Sequence, residues 1–502
     1  MSSKDSHSYQ GFRGVGSRLT EAPLPHVEFH KSGLLGEAME GIHAFDKAHA
    51  LMLTEEGINT RETGRAILKA FTEMEAAGMM EARERAGGGM HSGEHYLIQN
   101  LGEDIGGRLH LGRSSGDLVE VARRFTFRTH VHAMLAALCD TRAALLALAA
   151  QHTDTIMPGY THGQHAQPSS FAHWATLFEE VFARDAARLF SFHQRLNRSP
   201  AGAAIMTGSD FPLNRQRVSD LLGFDEPLAH TWDAIMSHDL EMEYAGVLAV
   251  LAQNLGRLAD DLILWSTTEF AMVELPDRYC GTSSIMPQKK NPDGLEDMKS
   301  VAARSMGVMV TVMAAEKGPT GFPIMERRNS QAMLWDLGRD LGLRFDTMAP
   351  LLRDMDVKTA RMLELAGANW AQVTDLSSAL VRHAGMDWRT AHQVVATLVR
   401  RSAVARQLPS EASSADLDAA AAEFGTAPPG LTKPVFDDAM DPRKFVERRV
   451  IYGGPAPSSV RREMGAARDR LQADAARVAL LRQQVKAALE QLDQAVARLI
   501  AS

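Results

Sequence analysis

The sequence predicts an all-α protein built around a bundle of long helices, and three observations carry that prediction. Alanine, leucine and methionine abound, while aromatic residues make up only 6% of 502 residues. That palette suits helices better than sheets. Val121–Gln151, Ser170–Leu196, Ser237–Ser266, Asp297–Glu316 and Asn329–Arg353 keep apolar residues at i, i+3, i+4 and i+7 along their length, the pattern of helices with one buried face. The β-branched alternation that a sheet needs is almost absent.

Taken in order, residues 1 to about 118 mix short helical patterns with Gly-rich breaks at Gly87-Gly88-Gly89 and Gly106-Gly107, and read as an N-terminal domain. Residues 119–373 hold the five long segments and read as a central bundle. Its polar, Pro/Gly-marked loops, Met157–Pro168, Ser199–Asn214 and Leu275–Asp293, sit at helix ends, where a site can vary without disturbing the core. Residues 374–502 form a third, helical domain: shorter patterns, an Ala/Ser/Asp-rich connector at Ser410–Pro429, and a charged amphipathic helix from Ser458 to Ser502. Three domains agree with the length.

Composition narrows the function. A net charge of −8 leaves no basic footprint for nucleic acid. Cys139 and Cys280 are the two cysteines and lack CxxC spacing, so a reducing cytoplasm is the expected compartment. Met1–Arg18 is polar, and no run of about 18 uncharged apolar residues occurs, so neither secretion nor membrane insertion is expected. There is no P-loop, no GxGxxG after a strand and no metal-ligand spacing, so no cofactor or metal is expected.

The most informative stretch is Gly281-Thr282-Ser283-Ser284-Ile285-Met286-Pro287-Gln288-Lys289-Lys290-Asn291-Pro292-Asp293, followed by Glu296. Glycine permits unusual backbone angles and the prolines interrupt regular structure. The reading is a mobile polar loop that carries a candidate base (Ser283) and a cation (Lys289) into a helix start. A second strip, Met157–Pro168, holds Thr161-His162 between Pro/Gly turns, placing a titratable ring in a loop. A third, Gly106–Asp117, offers the guanidinium of Arg113 and the hydroxyl of Ser114 to a carboxylate, with Met90-His91-Ser92-Gly93-Glu94 upstream.

These strips together resemble the fumarase/aspartase superfamily, and most closely its argininosuccinate lyase branch. Supporting matches are Ser199–Phe224, Asp261–Phe270, Asp441-Pro442, Phe445-Val446 and Gly453–Pro457. The resemblance covers roughly residues 27–480. It implies a three-domain fold whose central helices form a twenty-helix core in a homotetramer, with sites where loops of three subunits meet. It implies elimination of a nitrogen leaving group from a succinyl moiety, releasing fumarate, with no cofactor. By carry-over Ser283 is the base, Lys289 and Asn291 stabilise the dianionic intermediate, and His162, paired with Glu296, handles the leaving nitrogen. Thr161, Ser114, Ser115, Arg113, His91, Ser284 and Met286 are the implied substrate contacts.

The departures bear on substrate. Argininosuccinate lyases carry Arg-Asn where this chain has Ser115-Gly116. Their tyrosine, glutamine and lysine after the third bundle helix align with Pro323, Arg328 and Gln331. Arg328 or its neighbour Arg327 is expected to restore the charge lost at Ser115. The N-terminal strip before Lys47-Ala48-His49, which in the family contacts the amino side of the substrate, is also rewritten. An intact reaction loop beside altered binding strips predicts the same chemistry on a different molecule. The expected reaction is fumarate release from an N-substituted aspartate other than argininosuccinate. A genuine argininosuccinate lyase is the first alternative, and an inactive crystallin-like structural protein the second.

Overall fold

The computed structural model describes residues 35–321 and 324–502. In chain order they form α1 (Leu35–Glu55), α2 (Arg61–Ala76), α3 (Met79–Arg85), α4 (Ser92–Leu101), α5 (Glu103–Gly106), α6 (Ser115–Gln151), β1 (Ile156–Thr161), β2 (Gln164–Ser170), α7 (Phe171–Leu196) and β3 (Arg198–Ser199). Then come α8 (Arg215–Leu222), β4 (Glu226–Pro227), α9 (Thr231–Met236), α10 (Asp239–Ser266), β5 (Val273–Glu274), β6 (Gly281–Thr282), β7 (Lys290–Asn291), α11 (Asp293–Ala315) and α12 (Ile324–Asp354). The remainder is β8 (Asp356–Val357), α13 (Thr359–Gly367), α14 (Val373–Ala384), α15 (Trp388–Ala405), α16 (Ser414–Phe424), α17 (Lys433–Met440), α18 (Pro442–Glu447) and α19 (Pro457–Ala501).

The bundle is α6, α7, α10, α11 and α12, each within a few residues of its expected span. Successive members run in opposite directions, α7 to α10 included, whose long connection also reverses the chain. Trp174 at the start of α7 stacks 4.6 Å from Trp265 at the end of α10, while Arg195 at the end of α7 donates through Nε to Glu243 at the start of α10 at 2.8 Å. Lys299 in α11 pairs with Asp260 at 2.5 Å. Arg327 in the first turns of α12 reaches Glu120 in α6 at 3.0 Å.

The bundle therefore has two ends. One carries the start of α6, α10 and α12 and the finish of α7 and α11. The other carries the β1–β2 hairpin, the 281–291 loop and the start of α11. A 28-residue α10 sets them about 42 Å apart at 1.5 Å per residue.

α6 begins sharply because Ser114 caps it: its Oγ accepts from Gly116 N–H, and Asp117 returns a bond to the Ser114 N–H, a capping box. By length and composition α6 could cross a membrane. In the fold it is the core helix, lying against α1, α7, α12 and α19. Phe127, Phe192 and Tyr244 meet at its centre, with Phe192 and Tyr244 stacked 5.0 Å apart. α19 is secured by a buried ion pair: Arg142 donates to Glu179 at 2.9 Å and to Asp474 at 2.6 Å, so the last helix packs along the central helices. Leu376, Leu380, Val394, Leu398, Leu417, Phe436 and neighbours form a separate apolar cluster.

Two local expectations are corrected. Ser410–Pro429 is not merely a connector. Ser413 and Asp416 form a capping box that starts α16, Leu417, Ala420 and Ala421 are buried in it, and Gly425 ends it at φ 96°, the left-handed residue typical of a helix end. Met157–Pro168 is not an irregular loop but most of a β-hairpin, with Thr161 opposite Gln164.

Candidate active site

The loop before α11 is closed at its base by pairing of Gly281 with Asn291 and of Thr282 with Lys290. Gly281 is not needed for an unusual φ, contrary to expectation. It is needed for space, because a Cβ there would lie 1.8 Å from Asp293 Oδ2. Ser283 stands half-buried just inside the closure. Its Oγ accepts the N–H of Met286 at 3.0 Å and of Ile285 at 3.3 Å. This is a common serine turn, and it also aims two donors at an oxygen that would carry charge on losing its proton. Ser284 and Lys289 are exposed, Ile285 is 83% and Met286 42% exposed. Lys290 instead pairs with Asp277 at 2.7 Å. Glu296 lies exposed in the first turn of α11, where the helix dipole favours a carboxylate.

His162 occupies the tip of the β1–β2 hairpin. His162 and Gly163 have φ of 54° and 71°, so a two-residue turn with both central residues left-handed joins the strands. For histidine that backbone is uncommon. Thr161 and His162 are both exposed. The pairing of His162 with Glu296 is not formed within the chain: no ion pair joins them among the described residues, although both belong to the same end of the bundle.

The opposite end holds the third strip. Arg113 is buried and donates to Asp46 Oδ1 at 2.7 Å, while Arg83 takes Oδ2 at 2.6 Å. The expected fork for a substrate carboxylate is thus already filled by a carboxylate of α1. Burial alone would raise the Asp46 pKa, but the two arginines outweigh it and hold it below the ordinary value. Ser114 and Ser115 open α6 and are half-buried; a helix start of this length is itself a carboxylate-binding feature. His91 lies against Glu94, its Nδ1 3.8 Å from Oε2. Burial, then His110 and Arg113, lower its pKa to about 4. The Lys47-Ala48-His49 strip does not face a ligand in the chain. Lys47 is buried between Glu75 and Asp493, and His49 binds the Leu111 carbonyl at 2.9 Å.

Arg327 is also committed. It pairs with Glu120 at 3.0 Å and abuts His238. Around it lie Arg123, Glu241 and Glu316, a buried charge cluster that sequence reading missed because its members come from four helices. Burial, then Glu241, push the Glu316 carboxyl up to about 7. Arg328 is half-buried beside this cluster, and Gln331, one turn on, is buried; Pro323 lies outside the described residues.

One chain therefore brings Ser283, Lys289, Asn291, Glu296, Thr161 and His162 to one end, and Arg113, Ser114, Ser115, His91, Arg327, Arg328 and Gln331 to the other. A long-helix bundle with a Ser/Lys/Asn loop heading one helix marks the class: an all-helical lyase. Residues 29–307 match the family model described as Lyase, and residues 370–447 the model described as Argininosuccinate lyase C-terminal. The argininosuccinate lyase of Methanoculleus marisnigri is 38% identical over 440 residues, 86% of this chain and 87% of that protein. That of Methanosarcina acetivorans is 34% identical over 457 residues, 89% and 91% of the two chains. Among solved structures, an EDDS lyase in complex with formate matches with TM-score 0.86 and 31% identity over 93% of each chain. The class II fumarase of Schistosoma mansoni, 19% identical with TM-score 0.68 over 81% of this chain and 90% of that one, shares the fold. The chain belongs to the argininosuccinate lyase-like branch of the fumarase/aspartase superfamily and is a carbon–nitrogen lyase.

Proposed function

We propose that the protein eliminates an amine from an N-substituted aspartate, releasing fumarate, with Ser283 as the base. The observation that carries this reading is the pair of N–H donors on Ser283 Oγ. A serine removes a weakly acidic proton next to a carboxylate only when its alkoxide is stabilised by N–H groups and cations. In the proposed reaction the alkoxide takes the β-hydrogen as a proton and its electron pair becomes the carbon–carbon double bond. The C–N bond breaks as its electrons leave with nitrogen, which gains a proton. Lys289 and the Asn291 amide stabilise the dianionic aci-carboxylate, and His162 positions or supplies the proton for the leaving nitrogen. Thr161, Ser114 and Ser115 bind carboxylates, while Ser284 and Met286 close over the substrate with the loop. Arg113 acts as a positioning residue through Asp46, and His91 lies behind that strip. Arg328, with Gln331 behind it, meets the distal part of the substrate; Arg327, held by Glu120, supports them. The chemistry needs no metal or cofactor.

We infer a homotetramer in the cytoplasm. The catalytic and carboxylate-binding strips sit at opposite ends of a bundle about 42 Å long, too far apart to share one small molecule. Opposed copies would bring unlike ends together. On α11, Met306, Val310 and Met313 are 44%, 61% and 45% exposed at helical spacing, an apolar face that a second copy would cover. Glu296 and His162, which share one end, would meet only where a further copy in the tetramer brings like ends together.

Loss of the Arg-Asn pair at Ser115-Gly116 favours a leaving group other than arginine, and aminopolycarboxylates of the ethylenediamine-disuccinate type are the leading candidates. Argininosuccinate is the second reading, favoured by 38% identity to a curated argininosuccinate lyase. Incubating fumarate with ethylenediamine, other diamines, amino acids or arginine, and following fumarate consumption, separates them. Turnover with diamines supports the first reading and turnover with arginine alone the second; silence with every amine overturns the lyase assignment in favour of a structural role.

A further inference from the structure

We propose that His91, Glu94 and His110 form a binding site for one first-row divalent transition-metal ion of the Zn2+ or Co2+ type. One ligand atom from each residue lies within 4.8 Å of the other two. His110 Nδ1 is 3.2 Å and His91 Nδ1 3.8 Å from the same oxygen, Glu94 Oε2. In a tetrahedral site with bonds of about 2.0–2.1 Å, ligand atoms stand about 3.3 Å apart. Of the three edges, one is already at that length, a second needs about half an ångström of side-chain adjustment, and the third, between the two imidazoles, is within 4.8 Å.

The elements hold this triangle from two sides. His91 precedes α4 and Glu94 is in its first turn, so i and i+3 share one face. His110 arrives on the short 3-10 turn Gly107–His110. The His91 and His110 rings are 5.3 Å apart at 50°. Glu94 is buried, and the His110 side chain is 34% exposed, which gives the ion a way in from solvent. Two imidazoles and a carboxylate suit late first-row ions over Mg2+ or Ca2+, which prefer all-oxygen shells. Three protein ligands leave the fourth position for water or a carboxylate.

Nearby cations decide between this cluster and its rival. Glu120, His238 and Glu241 also converge, but Arg123 bonds both carboxylates and Arg327 crowds the histidine, so guanidinium groups take the place of an ion. Arg113, a guanidinium whose charge bears on His91, is itself met by Asp46.

The test uses the full-length protein stripped with chelator and titrated with Co2+, reading visible d–d absorption and bound metal after gel filtration. The expected result is about one ion per chain with tetrahedral-type absorption, displaced by Zn2+. His110→Ala, at a partly exposed position, should lose the absorption and bind at least about tenfold more weakly, with unchanged far-UV circular dichroism. Glu94→Gln should do the same; because Glu94 is buried, His110→Ala carries the decision. A wild-type protein that takes up no Co2+, or a His110→Ala variant that keeps stoichiometry and spectrum, overturns the proposal. Neither readout requires turnover, so the outcome is independent of the lyase reading.

Discussion

Arg113 and Asp46 form a buried ion pair, Nη1 to Oδ1 at 2.7 Å, each side chain 1% exposed. Through it the loop preceding α6 is fixed to α1, and with it the start of α6. Asp46→Asn leaves Arg113 and Arg83 buried without a counter-charge. The expected loss of folding stability is about 3–5 kcal/mol, measured by urea denaturation at pH 7. Because the Asp46 pKa is depressed below its ordinary 3.8, its contribution is fully present above that pH. It disappears as pH falls from there through the depressed value. The gap between wild type and variant should therefore shrink only below about pH 4; a gap constant down to pH 2 would contradict the pairing.

Ser283 sits in an exposed loop whose side chains bury little apolar surface. Ser283→Ala is expected to remove turnover while leaving stability within about 0.5 kcal/mol of wild type. A variant that retains wild-type kcat would rule out the hydroxyl as the base.

His162 and Ser283 need not belong to the same copy in a working site. Mixing two inactive variants, His162→Asn and Ser283→Ala, by dissociation and reassembly should regenerate activity. If each site draws the two residues from different chains, random equal mixing restores about a quarter of wild-type sites. Reassembled mixtures that stay inactive, with tetramers confirmed by light scattering, would argue for sites contained in one chain.

Glu316 titrates in the wrong direction for stability. Burial and Glu241 lift it from 4.5 to about 7, so the folded state binds a proton more tightly than the unfolded chain. Its contribution is unfavourable above the ordinary value, growing as pH rises from about 4.5 to 7. Glu316→Gln should raise the melting temperature at pH 8 and leave it unchanged at pH 4. An equal effect at both pH values would show that charge is not the cause.

Gly281 owes its place to crowding against Asp293. Gly281→Ala must displace that carboxylate from the start of α11 and disturb the closure with Asn291. A fall in kcat exceeding any change in melting temperature is expected, and Gly281→Ala with Asp293→Ala should recover part of it.

The sequence by itself determined the helical class, the spans of the five bundle helices, the last helix and the polar loop before α11. Those features are local: an apolar stripe at helical spacing, or a dense polar run between prolines, is written in neighbouring residues. Even α16 was legible in principle, since Ser413 and Asp416 mark its start and Gly425 its end. Tertiary structure alone decided how the candidate residues divide. Arg113 looked available until Asp46, 67 residues away, filled its fork. Arg327 looked available until Glu120, 207 residues distant, held it. Burying a charge demands a partner, and partners are chosen by packing across helices, which no local pattern records.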